Sequence, residues 1–174
     1  MKKLMLILPV LMLFAACLDD EERIEPNYTY MADKPVEIDY CGDVIYMYPR
    51  DFDNGSVKWS ASFYSENTGA TSSGDGRYNT DLIVNEYDEG SYAAYMCDTL
   101  TAYGYDDWYL PSKDELNAIY EQKDSLSSFH EEYYYYWSST EYDEENVWVQ
   151  DFSDGTQTDN SKSTYNYFRC VRRD

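Results

Sequence analysis

The chain has 174 residues, room for one ordinary domain plus a tail, and a formal net charge of −21. So acidic a protein is a poor partner for nucleic acid or for anionic membrane surfaces. Its one histidine, His130, leaves a His-dependent catalytic triad without support, and no cysteine pair has the spacing of a zinc site.

The N-terminus reads as an export signal. Lys2 and Lys3 precede an apolar stretch over residues 4–14, interrupted only by Pro9, and the small pair Ala15-Ala16 follows. The stretch is too short for a permanent membrane span. Leu13-Phe14-Ala15-Ala16-Cys17 resembles a lipobox, with Phe14 where Leu is usual, so Cys17 is the expected site of lipidation and the expected mature N-terminus. Acyl chains would then hold the protein to a membrane without a spanning helix. The acidic run Asp19-Asp20-Glu21-Glu22 directly behind Cys17 cannot pack and reads as a solvated tether over residues 18–36. It also resembles the acidic export signal of Bacteroidota surface lipoproteins. That implies an outer-membrane location, lipid-anchored and facing the cell exterior. Glu25-Pro26-Asn27 matches a calcium and sugar ligand tripeptide of mannose-type C-type lectins, but in a tether it has no packed frame and is set aside.

Strands follow. Residues 44–48 alternate as a half-buried strand, Asp53-Asn54-Gly55 signals a turn, and residues 57–64 read as the partner strand. Asp51, Asp53 and Asn54 lack the further ligands of a calcium loop, so a hairpin is the better reading. Residues 65–78 are rich in Gly, Ser, Thr and Asn and read as loop. Thr80 is the expected cap of a short helix through Val84, and Ser91 of a second, in which Ala93, Cys97 and Leu100 share a face and which Gly104 ends. Ser112 and Glu115 form a capping box, opening a helix through Leu116, Ile119 and Tyr120. Residues 133–139, 147–152 and 165–172 read as strands, with Asp154-Gly155 turning between the last two. Strands, helices, then strands again argue an α+β fold with one antiparallel sheet and two main helices.

Several of these strings together resemble one family. They are Asn79-Thr80, Ser91-Tyr92-Ala93-Ala94, Cys97-Asp98 before Leu100, and Gly104-Tyr105 leading into Asp107-Trp108-Tyr109-Leu110-Pro111-Ser112-Lys113-Asp114-Glu115-Leu116. Tyr136-Trp137-Ser138-Ser139-Thr140-Glu141-Tyr142, Trp148, Phe152-Ser153-Asp154-Gly155, and Arg169 with Val171-Arg172 complete the set. In that order and at those gaps they resemble the Lcl C-terminal domain family, over about residues 42–173. The resemblance implies a C-type-lectin-like fold for residues 37–174, related to the formylglycine-generating, sulfatase-modifying fold. It also implies a Cys97–Cys170 disulfide, since such domains commonly tie an early helix to the last strand. Cys41 is then the odd thiol. Trp108 to Ser112 and Tyr136 to Ser139 read as packing rather than as a ligand cleft.

The relatives implied are adhesin-like, some of them binders of sulfated polysaccharide, which suits this acidic chain poorly unless a cation bridges. The expected function is binding of an extracellular glycan or protein ligand. Tyr supplies 21 residues, and residues 133–168 are crowded with Tyr, Ser, Thr, Asp and Asn, side chains suited to an adaptable binding face. The candidate ligand-binding residues are Tyr142, Asp143, Glu145, Asn146, Trp148, Gln150, Asp151, Asp159, Asn160, Tyr165 and Tyr167. Tyr and Trp would stack on a sugar or peptide, while Asp, Asn and Gln would bond its hydroxyls or amides. No cofactor is expected, although the acidic loops at 143–145 and 151–159 leave calcium open. An enzyme of the formylglycine-generating type would need a reactive cysteine pair, and the expected disulfide removes it. A structural envelope or pilus component, and a retroelement-diversified binder with a variable C-terminal segment, are the further alternatives.

Overall fold

The computed structural model describes residues 34–52, 55–61, 66–126, 129 and 135–174. The signal segment, Cys17, the tripeptide at 25–27 and nearly all of the tether lie outside the described residues. Asp53, Asn54 and the start of the expected strand at 133 do as well.

The secondary structure is α+β. In chain order it runs β1 (Val36–Tyr40), β2 (Asp43–Met47), α1 (Gly76–Glu86), α2 (Ala93–Asp98), α3 (Lys113–Glu121), β3 (Tyr135–Glu141), β4 (Asn146–Asp151), β5 (Gln157–Ser161) and β6 (Val171–Arg172). The expectation of one sheet is corrected. The strands form two antiparallel three-stranded sheets, β1-β2-β6 and β3-β4-β5.

The first hairpin is not the one expected. β2 pairs with β1 through the two-residue turn Cys41-Gly42, both at positive φ (54° and 88°), the conformation that suits a tight hairpin. Of the expected partner strand over residues 57–64, positions 62–64 lie outside the described residues, and the described residues 57–61 form no strand. Val57 only bridges Asn166, and Lys58 only bridges Tyr92. The Asp154-Gly155 turn forms where expected, but it joins β4 to β5 rather than to residues 165–172. Of that last stretch only Val171 and Arg172 are regular strand.

The helices begin where side chains can satisfy their first N–H groups. Asp75, not Thr80, caps α1 by accepting from Tyr78 N. Thr80 lies inside the helix, its hydroxyl bonded to Leu110 N at 3.0 Å. α2 opens at Tyr92 with no side-chain cap and ends at Asp98, short of Leu100 and Gly104. α3 has the expected box: Ser112 Oγ accepts from Glu115 N, and Glu115 accepts from Ser112 N.

Two apolar clusters hold the layers together. One packs Ile83 of α1 and Ala93, Ala94 and Cys97 of α2 against Trp59, Trp108, Trp137, Val147 and Val149. The other groups Leu116 and Ile119 of α3 with Ile38, Ile45 and Met47 of the first sheet, Tyr136 of the second, and Phe152 just after β4. The expected Cys97–Cys170 disulfide is present, with Cα atoms 5.3 Å apart, and it fastens α2 to the approach of β6. Trp108, Tyr109, Leu110 and Ser112 are buried, as are Tyr136 to Ser139, in keeping with packing roles for both motifs.

Candidate functional site

The edge of the second sheet is shaped by a break in its ladder. The β3–β4 register shifts between Trp137 and Glu141. There Ser138 Oγ donates to Trp148 O at 2.7 Å, while Ser139 N and Glu141 N turn away to Pro111 O and Ala70 O. A bulge of this kind re-aims the side chains beyond it. Tyr142 follows at once and stands 53% exposed.

Its ring meets Trp148 edge to face, centroids 5.1 Å apart at 77°. Trp148 lies in β4 opposite Asp159 of β5, so the two side chains share a face of the sheet. Asn146, opposite Ser161, lies on that same face. Lys113, the first residue of α3, places its ammonium 3.3 Å from the Trp148 ring centroid, a close cation–π contact. The patch therefore combines two aromatic rings, one ammonium and one exposed carboxylate.

Asp143 and Glu145 flank the patch at the β3–β4 turn, and both are exposed. Asp143 builds that turn. Its Oδ1 accepts from Glu145 N (2.9 Å), Asn146 N (2.8 Å) and Asn146 Nδ2 (3.0 Å). These bonds, the Asn146 side chain foremost and the Glu145 backbone next, hold its carboxyl below the usual range.

The remaining candidates disperse. Gln150 is a correction: it is fully buried, donating to Asn117 Oδ1 at 3.0 Å and accepting from Gln157 Nε2 at 3.2 Å. Its amide ties β4 to α3 and β5 and meets no solvent. Asp151 is half-buried and shapes the next turn, Oδ1 accepting from Ser153 N and Oγ. Tyr167 is half-buried too. Its backbone pairs with residues 135 and 137, and its ring packs on Tyr136 at 5.8 Å. Asn160 falls on the opposite face of β5 and accepts from Thr164 Oγ1. Tyr165 is 63% exposed, with the Lys58 ammonium 5.7 Å from its ring centroid.

Lys113 escaped the sequence reading. A single Lys between a capping Ser and two acidic residues carries no pattern, and its partner Trp148 is remote in sequence. Among the described residues no group of three or more His, Cys, Asp or Glu side chains could hold a metal ion. Cys41 is exposed, with no disulfide partner among the described residues.

An α+β domain of two small antiparallel sheets, with a disulfide from α2 to the approach of β6 and an aromatic pair on the second sheet, defines the class of this protein. Residues 53–172 match the Lcl C-terminal domain, and the chain belongs to that family. Comparison with curated proteins returns no match.

Proposed function

We propose that the protein is a lipid-anchored, surface-exposed binding protein, adhesin-like, whose C-type-lectin-like domain takes an extracellular glycan or protein ligand. The Tyr142–Trp148 pair carries this reading. It sets the exposed Tyr142 ring against the half-buried Trp148 on one face of the second sheet, beside Asp159, Asn146 and a turn braced by the Asp143 carboxylate. Such a platform offers stacking area at little entropic cost, with polar groups beside it for orientation. Family membership and the export pattern ending at Cys17 support the reading. The acidic run behind Cys17 supports a location on the outer membrane, facing outward.

A binding role fits the cysteines better than catalysis does. Cys97 and Cys170 are joined and fully buried, and Cys41 has no disulfide partner among the described residues. The test is a glycan and protein array probed with the mature protein, with and without calcium. Selective binding to one ligand class is the expected result. A protein that binds nothing on either array but turns over a peptidyl-cysteine substrate would overturn the reading.

A further inference from the structure

Lys113 stands out among the basic side chains. In a chain with 34 acidic and 13 basic residues, carboxylates are plentiful partners. Arg77, Lys162, Arg169, Arg172 and Arg173 each lie 3.3 Å or less from a carboxylate oxygen. Lys113 enters no ion pair with a described residue, and its ammonium gives none of them a hydrogen bond. It is held over the Trp148 ring instead, 3.3 Å from the centroid. The π face attracts the cation but leaves its three N–H donors without oxygen acceptors. The backbone fixes this placement. Lys113 N donates to Thr140 Oγ1 of β3 at 2.9 Å, and Lys113 O accepts from Gln157 Nε2 of β5 at 2.9 Å.

An opposite charge borders the same ring. Asp159 is directly across the β4–β5 ladder from Trp148 and is exposed. Its carboxylate accepts no hydrogen bond from a described residue. So an ammonium and a carboxylate flank one indole, and neither is neutralised by the other.

This charge pattern discriminates between ligands. A neutral ligand leaves Lys113 without a counter-charge. A polyanion meets Asp159, then Asp143 and Glu145 of the adjoining turn, in a chain of net charge −21. A ligand group with one carboxylate and one ammonium answers both charges and carries no net charge to be repelled. We propose that the Tyr142–Trp148 edge selects a zwitterionic group, with its carboxylate on Lys113, its ammonium on Asp159 and its carbon body against the two rings. This rests on the reading of that edge as a binding platform and adds the charge pattern of its ligand. A free amino acid and a glycan that joins an amino sugar to a sugar acid both supply that chemistry.

Trp148 provides the readout. Of the four tryptophans, Trp59, Trp108 and Trp137 are at most 2% exposed, whereas Trp148 is half-buried. Its fluorescence would be titrated in the full mature protein at about 0.15 M salt, where distant charges are screened. The amino-acid probes are leucine, N-acetylleucine and leucinamide. The glycan probes are a disaccharide of glucosamine and glucuronic acid and its N-acetylated form. At least one zwitterion is expected to bind about tenfold more tightly than its blocked forms, and Lys113→Met and Asp159→Asn should each lose about that factor. Binding by leucine alone identifies a free amino acid as the ligand, and by the disaccharide alone a glycan. No binding by either zwitterion, equal binding by the blocked forms, or full binding retained in either variant would each overturn the proposal. A neutral or protein ligand from the arrays that is lost in Tyr142→Ser and kept in Lys113→Met would overturn it too, and would leave the platform itself in place.

Discussion

Gly76 donates its backbone N–H to Glu115 Oε2 at 3.1 Å, and no Cβ fits between them. A Cβ on Gly76 would stand 2.5 Å from that oxygen, 2.5 Å from Ser112 N and 2.6 Å from Leu110 O. The contact joins the first turn of α1 to the capping box of α3. Glu115 is fully buried and also accepts from Ser112 N, from the Tyr109 hydroxyl at 3.0 Å and from Arg173 Nη2 at 2.6 Å. A buried carboxylate so completely bonded is inexpensive to keep and costly to disturb. Burial first, then the Glu115 charge, pushes the Tyr109 phenol well above its ordinary value, so it stays a donor to Glu115.

Gly76→Ala is therefore expected to destabilise the domain by roughly 1–3 kcal/mol, through forced separation of α1 from α3. Chemical denaturation of the variant checks this. An unchanged midpoint would show that the helices part without cost.

The disulfide should matter more. Cys97 and Cys170 are 73 residues apart, and closing a loop of that length restrains the unfolded chain by roughly 4 kcal/mol in the chain-entropy account. A Cys97→Ala, Cys170→Ala double variant should melt well below the parent. The same shift should appear when the parent is melted in reductant.

Acid should act through Asp107. Burial works to raise its carboxyl, but hydrogen bonds from Arg172 and Arg77 outweigh that and hold it below the usual range. Arg172 Nε reaches Asp107 Oδ1 at 2.7 Å from a nearly buried position. A group with a depressed folded-state value stabilises fully above its unfolded value, about 3.9, and loses that stabilisation as pH falls through the folded one. Asp107→Asn should cost roughly 1–3 kcal/mol at pH 7. The gap to the parent should narrow as the pH drops below about 4. Melting curves of both proteins at pH 7 and pH 3 test the sign.

Calcium is expected to leave the stability unchanged. Asp143, Asp151 and Asp154 each spend an oxygen on the backbone N–H groups of their own turns. Those oxygens would have to leave the turns to ligate an ion. Melting in calcium and in chelator should coincide, and a calcium-dependent rise would place a site that these turns do not explain.

Local chemistry was legible in the sequence where one residue type does one job. The Ser112–Glu115 box and the Asp154-Gly155 turn are of that kind, because their partners lie within a few residues. The pairing of strands was not. β5 is Gln-Thr-Asp-Asn-Ser, with no apolar alternation to announce it, so residues 165–172 stood in its place. The apolar residues of 57–61 looked like a strand, yet Trp59 is buried as a core residue that gives its indole N–H to Ser138 O at 2.9 Å. Within the candidate site, Tyr142 and Trp148 were readable as aromatic and near a turn. The burial of Gln150 was not, since it depends on Asn117 and Gln157, which only the tertiary fold brings to it.

Replacement of Tyr142 tests the binding platform most directly, with Tyr78 as the matched control. Both rings are more than half exposed, at 53% and 55%, and Tyr78 stands on α1 rather than on the sheet edge. Titration of the array-selected ligand against the parent, Tyr142→Ser and Tyr78→Ser would give three affinities. The expected result is a loss of about tenfold or more for Tyr142→Ser, as for an exposed aromatic anchor, with Tyr78→Ser matching the parent. Equal affinities for the parent and Tyr142→Ser would contradict a binding role for the Tyr142–Trp148 edge.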